Sequence, residues 1–471
     1  MKPLLKRDLW LRKIFKLSRW LVFLIPLASG AVSGEMPKLQ PLGEAKFVAY
    51  FYTLPFRESP FANVVGIHPM SETEAANRNH YRFEYDSLHR PIRITFMLGD
   101  TPRQTNRTAN FFFRTSRIDI SYVSSRETRM FFDRFGNPAL ARGVFKEIYE
   151  LDEAGYRTRL TFQNADGTRA QSDWGVAEYL WQVEKDGTVI EKHFNLDGDT
   201  VVKRPNLTFY TLRLNYGPHG WLSLMENYGP EGKVLVNNTM NGAQDKLEYD
   251  ANGDMRAWNV FDENRVRVKG NSPRVHRGLR DYNSNGFIAR TYYEDENGVR
   301  MKSVNGWGES TTTYDKYGNM LERWTHTVDG KKRAINERLQ YSGYLKEWDK
   351  TGLLELSRKY MLADGTAPAT HANVGAHIVK FEYDEVGNTT KLRHYDADGN
   401  LVSSRDFGAA IIAFEYDDKN RVTARKLMDV NGKLTNHPDG WATELFEYDH
   451  FGLRGARHRF DKDGRPADET G

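Results

Sequence analysis

The sequence contains no cysteine. A disulfide framework, a thiolate nucleophile and a lipid-modified cysteine anchor are therefore all excluded. Apolar residues make up only 39% of the 471 residues, whereas aromatic residues make up 13% and charged residues 28%. Together with the 39 glycines, this composition is typical of many short strands with polar outer faces and frequent turns. It fits neither a helical bundle nor a disordered chain.

Sequence motifs for catalysis and metal binding are also missing. The sequence has no nucleophile elbow, phosphate-binding loop or dinucleotide fingerprint, and no His-Glu-x-x-His pair among its 13 histidines. The carboxylates repeat in register from unit to unit, whereas a catalytic pair would occur only once. The Asp-x-Asp-Gly turns lack the distal glutamate of a calcium loop. We therefore expect no enzymatic activity, no cofactor and no metal ion.

Positive charge is concentrated at the start of the chain. The net charge is +4, but residues 1–34 carry seven Lys and Arg against the single acid Asp8, so the rest of the chain carries about −2. An apolar run at 20–27 and small residues at 28–34 follow. This layout is typical of a secretory signal peptide, and the run is too short to span a bilayer. We expect residues 1–34 to be cleaved and the protein to be periplasmic, cell-surface or secreted from a bacterium, meeting the membrane only during export; an uncleaved anchor is the alternative.

A Tyr-Asp-x-x-Gly string recurs about every 33 residues from residue 151 to residue 448. A glycine stands four positions after the anchor in ten of twelve places, and His89 and Asn420 stand in the other two. Asp at the start and Gly in the left-handed region at the end predict a tight hairpin turn with a bulge. Asn and His also accept that backbone region. Two irregularly spaced anchors lie upstream, at Tyr85 and Phe132.

Two further glycine positions are in phase with the anchor. One lies sixteen residues after it, commonly in Asp-x-Asp-Gly, and one lies eight residues before it. Between the turns, as in residues 379–384, apolar and charged residues alternate, which predicts half-buried antiparallel strands. A helical repeat is excluded, because no unit has several helical turns free of Gly and Asp. The predicted fold is all-β, with tandem hairpin repeats of about 33 residues forming an elongated or curling sheet.

The units resemble the Tyr-Asp repeats of bacterial RHS-type proteins, as residues 375–376, 383–388 and 395–399 illustrate. The resemblance covers 151–471 well and 80–150 loosely. It implies a curling sheet of stacked hairpins and an exported or surface location. RHS proteins use such a sheet as a shell around a C-terminal toxin. Because the last turn glycine here is Gly464, we expect no toxin domain in this sequence.

The predicted organisation has three parts. Residues 1–34 form the signal peptide, residues 35–130 a divergent N-terminal β cap, and residues 131–471 the repeat array, with about ten regular units from residue 151. A cap is expected because the ends of a repeat array are apolar and must be covered. An independent small domain is the alternative for residues 35–130.

Aromatic residues are the remaining candidates for function. Trp174, Trp221, Trp307 and Trp441 recur beside glycines in the loops, where they could pack between units or form an exposed binding stripe. We expect an exported, non-enzymatic β-repeat scaffold that binds a protein or a cell-surface glycan, and no nucleic acid. The alternatives are an RHS-type shell component associated with a separately encoded toxin and a carbohydrate-binding protein that uses the aromatic loops.

Overall fold

The computed structural model describes residues 44–104, 115–335, 341–364 and 375–467. The chain divides into a unit of residues 1–38, which includes the expected signal peptide and lies outside the described residues, and a unit of residues 39–471. No helix in the described ranges is long and apolar enough to cross a membrane.

In its described residues the second unit contains one short helix, α1 (Glu72–Ala75), and strands in chain order. The strands are β1 (Phe47–Thr53), β2 (Ile67–Met70), β3 (Asn79–Tyr85), β4 (Pro91–Leu98), β5 (Thr101–Pro102), β6 (Arg117–Val123), β7 (Arg126–Phe132), β8 (Lys146–Leu151), β9 (Arg157–Gln163), β10 (Arg169–Ala170), β11 (Glu178–Val183), β12 (Val189–Phe194), β13 (Leu212–Tyr216), β14 (Leu222–Asn227), β15 (Gln244–Tyr249), β16 (Met255–Phe261), β17 (Arg277–Tyr282), β18 (Ile288–Glu294), β19 (Glu309–Tyr314), β20 (Met320–His326), β21 (Gly343–Trp348), β22 (Glu355–Met361), β23 (Ile378–Tyr383), β24 (Thr389–Tyr395), β25 (Ile411–Tyr416), β26 (Val422–Met428), β27 (Thr443–Tyr448) and β28 (Arg454–Phe460).

These strands form one antiparallel sheet in which nearly every strand pairs with its neighbours in the chain. At the N-terminal end, β1 lies between β2 and β3. The two-residue strands β5 and β10 are additions to β4 and β9, which continue the sheet to β6 and β11. Among the described strands, β2 and β28 each have a single partner, so the sheet is not closed by hydrogen bonds. The predicted all-β hairpin array is confirmed.

The Tyr-Asp-x-x-Gly turn has the predicted geometry. In one such turn, Oδ1 of Asp384 accepts the backbone N–H groups of Val386 at 3.1 Å and of Asn388 at 2.7 Å. Gly387 has a φ of +81° and donates its N–H to the Asp384 carbonyl at 3.1 Å. A register shift at Glu382/Tyr383 marks the bulge. His89 and Asn420, which replace the glycine elsewhere, also adopt positive φ, at 58° and 64°.

The second class of turn uses the same hydrogen bonds at the other end of the hairpin. Asp396 Oδ1 accepts the N–H groups of Asp398 and Asn400, and Tyr395 bridges to Leu401 beyond the turn. We call the side of the sheet with the Tyr-Asp turns the first-turn edge and the opposite side the second-turn edge.

The assignment of Phe132 as a Tyr-Asp anchor is wrong. Phe132 bridges to Pro138 across its turn, as Tyr395 does to Leu401, so the turn at Asp133 belongs to the second-turn edge. The two classes of turn have the same local pattern of Asp followed by Gly, and only the strand pairing distinguishes them. The hairpin of β6 and β7 closes instead through Ser124, which has a φ of +52°.

The two edges of the sheet meet. The second-turn edge of the early hairpins contacts the first-turn edge of hairpins that lie 216 to 282 residues later in the sequence. The contacts include Asn79 N–H to the Tyr317 carbonyl at 2.8 Å, Arg103 to Asn319 Oδ1 at 2.8 Å, Arg134 to the Gly387 carbonyl at 2.7 Å, and Asn137 to the Lys419 carbonyl at 2.8 Å. The sheet therefore winds back so that its two long edges lie against each other.

The two faces of the sheet can be assigned from the strand register, because directly paired residues point to the same side and successive residues to opposite sides. We call the face that carries the buried side chains of Tyr149, Trp181 and Leu214 the inner face, and the other the outer face. The largest hydrophobic cluster lies on the inner face and extends from Val144 to Met255. The later clusters are smaller. Strands β1 to β7 of the expected cap lie in this same sheet.

The packing around the first turns predicts unequal tolerance of alanine at two turn glycines. Both Gly155 and Gly253 have positive φ, so an alanine costs about 1–2 kcal/mol of strain at either position. A Cβ at Gly155 meets nothing within 4 Å, whereas one at Gly253 lies 2.7 Å from the Trp221 ring and 3.0 Å from Ile67. Gly253→Ala is expected to lower the urea midpoint clearly more than Gly155→Ala. Equal midpoints for the two variants would contradict the packing of Trp221 and Ile67 against the turn at Gly253.

Candidate functional site

The chain between β1 and β2 lies against the inner face. We call residues 54–66 the inner segment. Arg157 Nη1 donates to the carbonyl oxygens of Pro60, Phe61 and Ala62 at 3.1, 2.8 and 2.8 Å. The Phe61 ring lies 5.8 Å from the ring of Trp181. Backbone carbonyls of an irregular segment need donors when they are buried, and here the two N–H groups of Arg157 Nη1 are shared among the three carbonyls.

A buried carboxylate holds the middle of the inner segment. Glu191 lies on the inner face of β12 and accepts from Lys203 Nζ at 2.6 Å, from Trp181 Nε1 at 2.8 Å and from Ser59 Oγ of the inner segment. His193 Nε2 lies 2.8 Å from Oε1, the oxygen that also accepts from Lys203, whereas Trp181 and Ser59 donate to Oε2. Burial would raise the pKa of Glu191, but Lys203 and His193 outweigh burial and hold that pKa well below its ordinary value.

A second ion network lies beside it. Glu127 contacts Arg129 at 2.6 Å and Arg157 at 2.7 Å, and all three side chains are buried. Burial acts to raise the pKa of Glu127, yet the two guanidinium groups lower it to about 2. Glu58 of the inner segment pairs with Arg204 at 2.8 Å. In both networks each carboxylate pairs with at least one buried or half-buried cation, which suits positioning of the inner segment better than proton transfer.

One carboxyl group in this region has a pKa that is raised rather than lowered. Asp245 is buried on the inner face and accepts from Asn271 Nδ2 at 2.8 Å. Burial raises its pKa to about 7, and the hydrogen bond from Asn271 offsets only part of that rise. Asp245 therefore takes up a proton near neutral pH in the folded chain.

A cavity of about 340 Å³ lies where the inner segment ends, between strand β3 and the first turns at residues 253–318. Its wall is largely aromatic, with two arginines and one acid, as follows: Tyr52, Tyr81, Phe96, Tyr282, Phe287, Tyr314, Arg57, Arg280 and Asp254. Asp254 contacts His68 Nε2 at 2.9 Å, and burial raises the pKa of this carboxyl. The Arg280 guanidinium lies 5.4 Å from the Trp258 ring.

The inner face of β17 to β28 differs from that of the first half. Its side chains are mostly half-buried, including Tyr344, Phe381, Leu392 and Phe414. A second cavity of about 210 Å³ opens on it and is lined by Val379, Phe381, Leu392, Ile412 and Arg358, among others. The inner segment therefore fills the first half of the inner face, and in the described residues the second half keeps accessible aromatic and aliphatic surface.

The four tryptophans that the sequence offered as candidate binding residues lie apart from one another. Trp441 is buried, with 2% of its surface exposed, in a cluster with Ile412 and Leu427. The other three are half-buried. The Trp174 ring centre lies 3.4 Å from the guanidinium carbon of Arg142. The ring centre of Trp221 lies 4.8 Å from that of His219, and the ring centre of Trp307 lies 5.0 Å from that of Tyr293. No ring contact between described residues joins two of the four, so they do not form one aromatic stripe.

The ion networks were missed in the sequence, although one signal was present. In Val189–Phe194 the residues on the buried side of the alternation are Val189, Glu191 and His193, so a charged pair occupies positions that the period assigns to the core. Within the described ranges, no group of three or more histidine or carboxylate side chains lies close enough together to hold a metal ion.

Comparison with known proteins gives only distant similarities. No protein-family profile matches the sequence, and no curated protein matches it. Similar solved structures include TcdB2-TccC3-TEV, 12% identical over 84% of this chain and 20% of that chain, with a TM-score of 0.32. The Photorhabdus luminescens Tc holotoxin pore is 12% identical over 84% of this chain and 22% of that chain, with a TM-score of 0.26. A porin-like protein from Bacteroides uniformis is 10% identical over 68% of this chain and 96% of that chain, with a TM-score of 0.19. This chain thus spans about one fifth of the Tc toxin chains.

The Glu191 network predicts a large loss of stability on removal of one charge. Glu191→Gln leaves Lys203 buried without a counter-charge, which is expected to cost about 3–5 kcal/mol in the free energy of unfolding. The matched control is Glu415→Gln, because Glu415 pairs with Lys426 on the outer face and is half exposed; there we expect less than about 1 kcal/mol. Urea unfolding of both variants measures the difference, and equal losses would contradict a positioning role for Glu191.

Asp245 predicts a pH-dependent change in stability. Its folded pKa of about 7 lies above the unfolded value of about 3.9. The folded chain therefore binds this proton more tightly, and the stability that the proton contributes is lost as the pH rises from about 4 to 7. Asp245→Asn is expected to increase the free energy of unfolding at pH 8 by about 1–3 kcal/mol and to leave it nearly unchanged at pH 4. An equal change at both pH values would contradict this expectation.

Proposed function

We propose that this chain is an exported, non-enzymatic β-hairpin repeat scaffold that holds a partner on the inner face of β17 to β28. The observation that carries the proposal is the contrast between the two halves of that face. The first half is filled by residues 54–66 of the same chain, whereas the second half keeps half-buried aromatic rows and a cavity of about 210 Å³. Accessible apolar surface with converging polar groups is typical of a binding site.

The buried titratable groups support a non-enzymatic role. Glu127 lies against two arginines and Glu191 against Lys203, these cations keep the pKa values of both carboxyls low, and both carboxylates are buried. A general acid or base works best with a pKa near the ambient pH and with access to the reacting group. Asp245 has such a pKa, but it is fully engaged in the interior beside Asn271.

A shell component that works with a separately encoded toxin is the second candidate. The observation that favours it is the contact between the two edges of the sheet, from Asn79 with Tyr317 to Asn137 with Lys419. Such contacts hold early and late hairpins together and give the inner face fixed walls. The carbohydrate-binding alternative is weaker, because Trp441, one of its four residues, is buried.

Photo-crosslinking from adjacent residues on opposite faces tests the proposed function. Phe414 lies on the inner face of β25 and Ala413 on its outer face, and both are half-buried. A benzophenone side chain introduced at residue 414 in the native host is expected to form adducts with one defined partner, and the same group at residue 413 is not. Adducts at residue 413 that equal or exceed those at residue 414 would contradict binding at the inner face.

A further inference from the structure

Positive charge is concentrated on the inner face of β17 to β28. The strand registers place eight basic and two acidic side chains on this face. The basic ones are Arg280, Arg323, Lys346, Arg358, Arg425, Arg454, Arg457 and Arg459, and the acidic ones are Glu355 and Glu444. The difference is a formal charge of +6 on one face of six hairpins.

The outer face of the same strands has no such excess. It carries seven basic and eight acidic side chains: Arg277, Arg290, Lys359, Lys380, Lys391, Arg393 and Lys426 against Asp281, Glu294, Glu309, Glu322, Glu347, Glu382, Glu415 and Glu447. Strand alternation therefore separates a cationic face from a nearly neutral one. The asymmetry comes from which positions carry arginine, since the two faces share the same strands.

The two inner carboxylates neutralise only part of this charge. Glu355 pairs with Lys346 at 2.6 Å and with Arg358 at 2.8 Å, and Glu444 pairs with Arg459 at 2.9 Å and with Arg425. Among the described residues, no carboxylate lies within ion-pair distance of Arg280 or Arg323. These two guanidinium groups retain unused donors on a half-buried surface.

Aromatic and aliphatic side chains alternate with the cations. Across the strands, Arg323 pairs with Tyr344, and Phe414 pairs with Arg425. The 210 Å³ cavity has a mixed wall, in which Val379, Leu392 and Ile412 lie with the polar side chains of Arg358, His394, Ser404 and Asp406. Tyrosine, phenylalanine and arginine in this combination are typical of the centres of protein–protein interfaces.

We propose that the inner face of β17 to β28 binds an acidic polypeptide segment, with carboxylates on the arginines and apolar side chains in the aromatic rows and the cavity. The inference rests on the proposed function, because it takes this face as the binding surface. Charge complementarity selects an acidic partner. Val379, Leu392 and Ile412 in the cavity wall favour a polypeptide, because neither an acidic polysaccharide nor a phosphodiester chain offers an aliphatic side chain.

Fluorescence anisotropy with a defined peptide tests this inference on the full-length protein. The probe is a labelled 20-residue peptide in which Glu alternates with Leu and Phe, and its control has Gln in place of every Glu. The acidic peptide is expected to bind about tenfold more tightly than its control at 50 mM NaCl, and to lose most of that advantage at 300 mM NaCl as the charges are screened.

Matched double variants locate the binding face. Arg280→Gln with Arg323→Gln removes two inner cations that have no carboxylate partner, and is expected to weaken binding about tenfold. Lys359→Gln with Lys380→Gln removes the same charge from the outer face, and is expected to leave binding unchanged. Circular dichroism and the melting temperature confirm that both variants fold.

Several results would overturn the inference. These are no binding of the acidic peptide up to about 1 mM, an equal effect of the inner and outer variants, or tighter binding of polygalacturonate or of an oligothymidylate than of the peptide. The proposed function and this inference can fail independently of each other. A partner crosslinked at residue 414 that has no acidic segment would leave the scaffold role intact and remove only the inference about acidic recognition.

Discussion

The hydrogen bonds of the Asp-x-x-Gly turn control the arrangement of the whole sheet. At Asp384 and Asp449 the carboxylate Oδ1 accepts two backbone N–H groups, and the following glycine occupies a region of positive φ that other residues avoid. The turn and its bulge fix the register of each hairpin. Because side chains alternate between faces with a period of two, a slip of one residue would move every inner side chain to the outer face. The charge difference between the faces thus depends on the turns.

Buried charged side chains on the sheet fix the position of the inner segment. Glu191, His193 and Lys203 lie at positions where apolar residues would pack at least as favourably, because the removal of charges from water offsets most of their attraction. Their arrangement fixes the position of the inner segment instead, since Ser59 donates to Glu191 and Glu58 pairs with Arg204. An apolar interior would accept the inner segment in several positions. The ion networks accept it in one, and the aromatic packing of Phe61 follows from that placement.

Local patterns predicted the hairpins well and the contacts between distant hairpins not at all. The turn at Asn420 and the strand at residues 378–383 follow from periodicity and from the conformational preferences of single residues. The turn after Phe132 was assigned to the wrong edge, because both classes of turn contain Asp followed by Gly. The contacts of Arg134 with Gly387 and of Asn137 with Lys419 join residues more than 250 positions apart, and no local pattern encodes them. The inner segment was missed for the same reason.

The cationic inner face is compatible with a stable fold for identifiable physical reasons. Arg280 lies over the Trp258 ring at 5.4 Å, and a guanidinium group is weakly hydrated and stacks well on an aromatic face, so partial burial costs it less than it would cost an ammonium group. Charges on strands two apart are about 10 Å from each other, beyond the screening length of about 8 Å at physiological ionic strength. Repulsion between such charges is therefore small in the free protein, and Glu355 offsets the repulsion between Lys346 and Arg358, which lie opposite each other on neighbouring strands. An acidic ligand held within 4 Å of these groups would gain attraction that the salt screens much less.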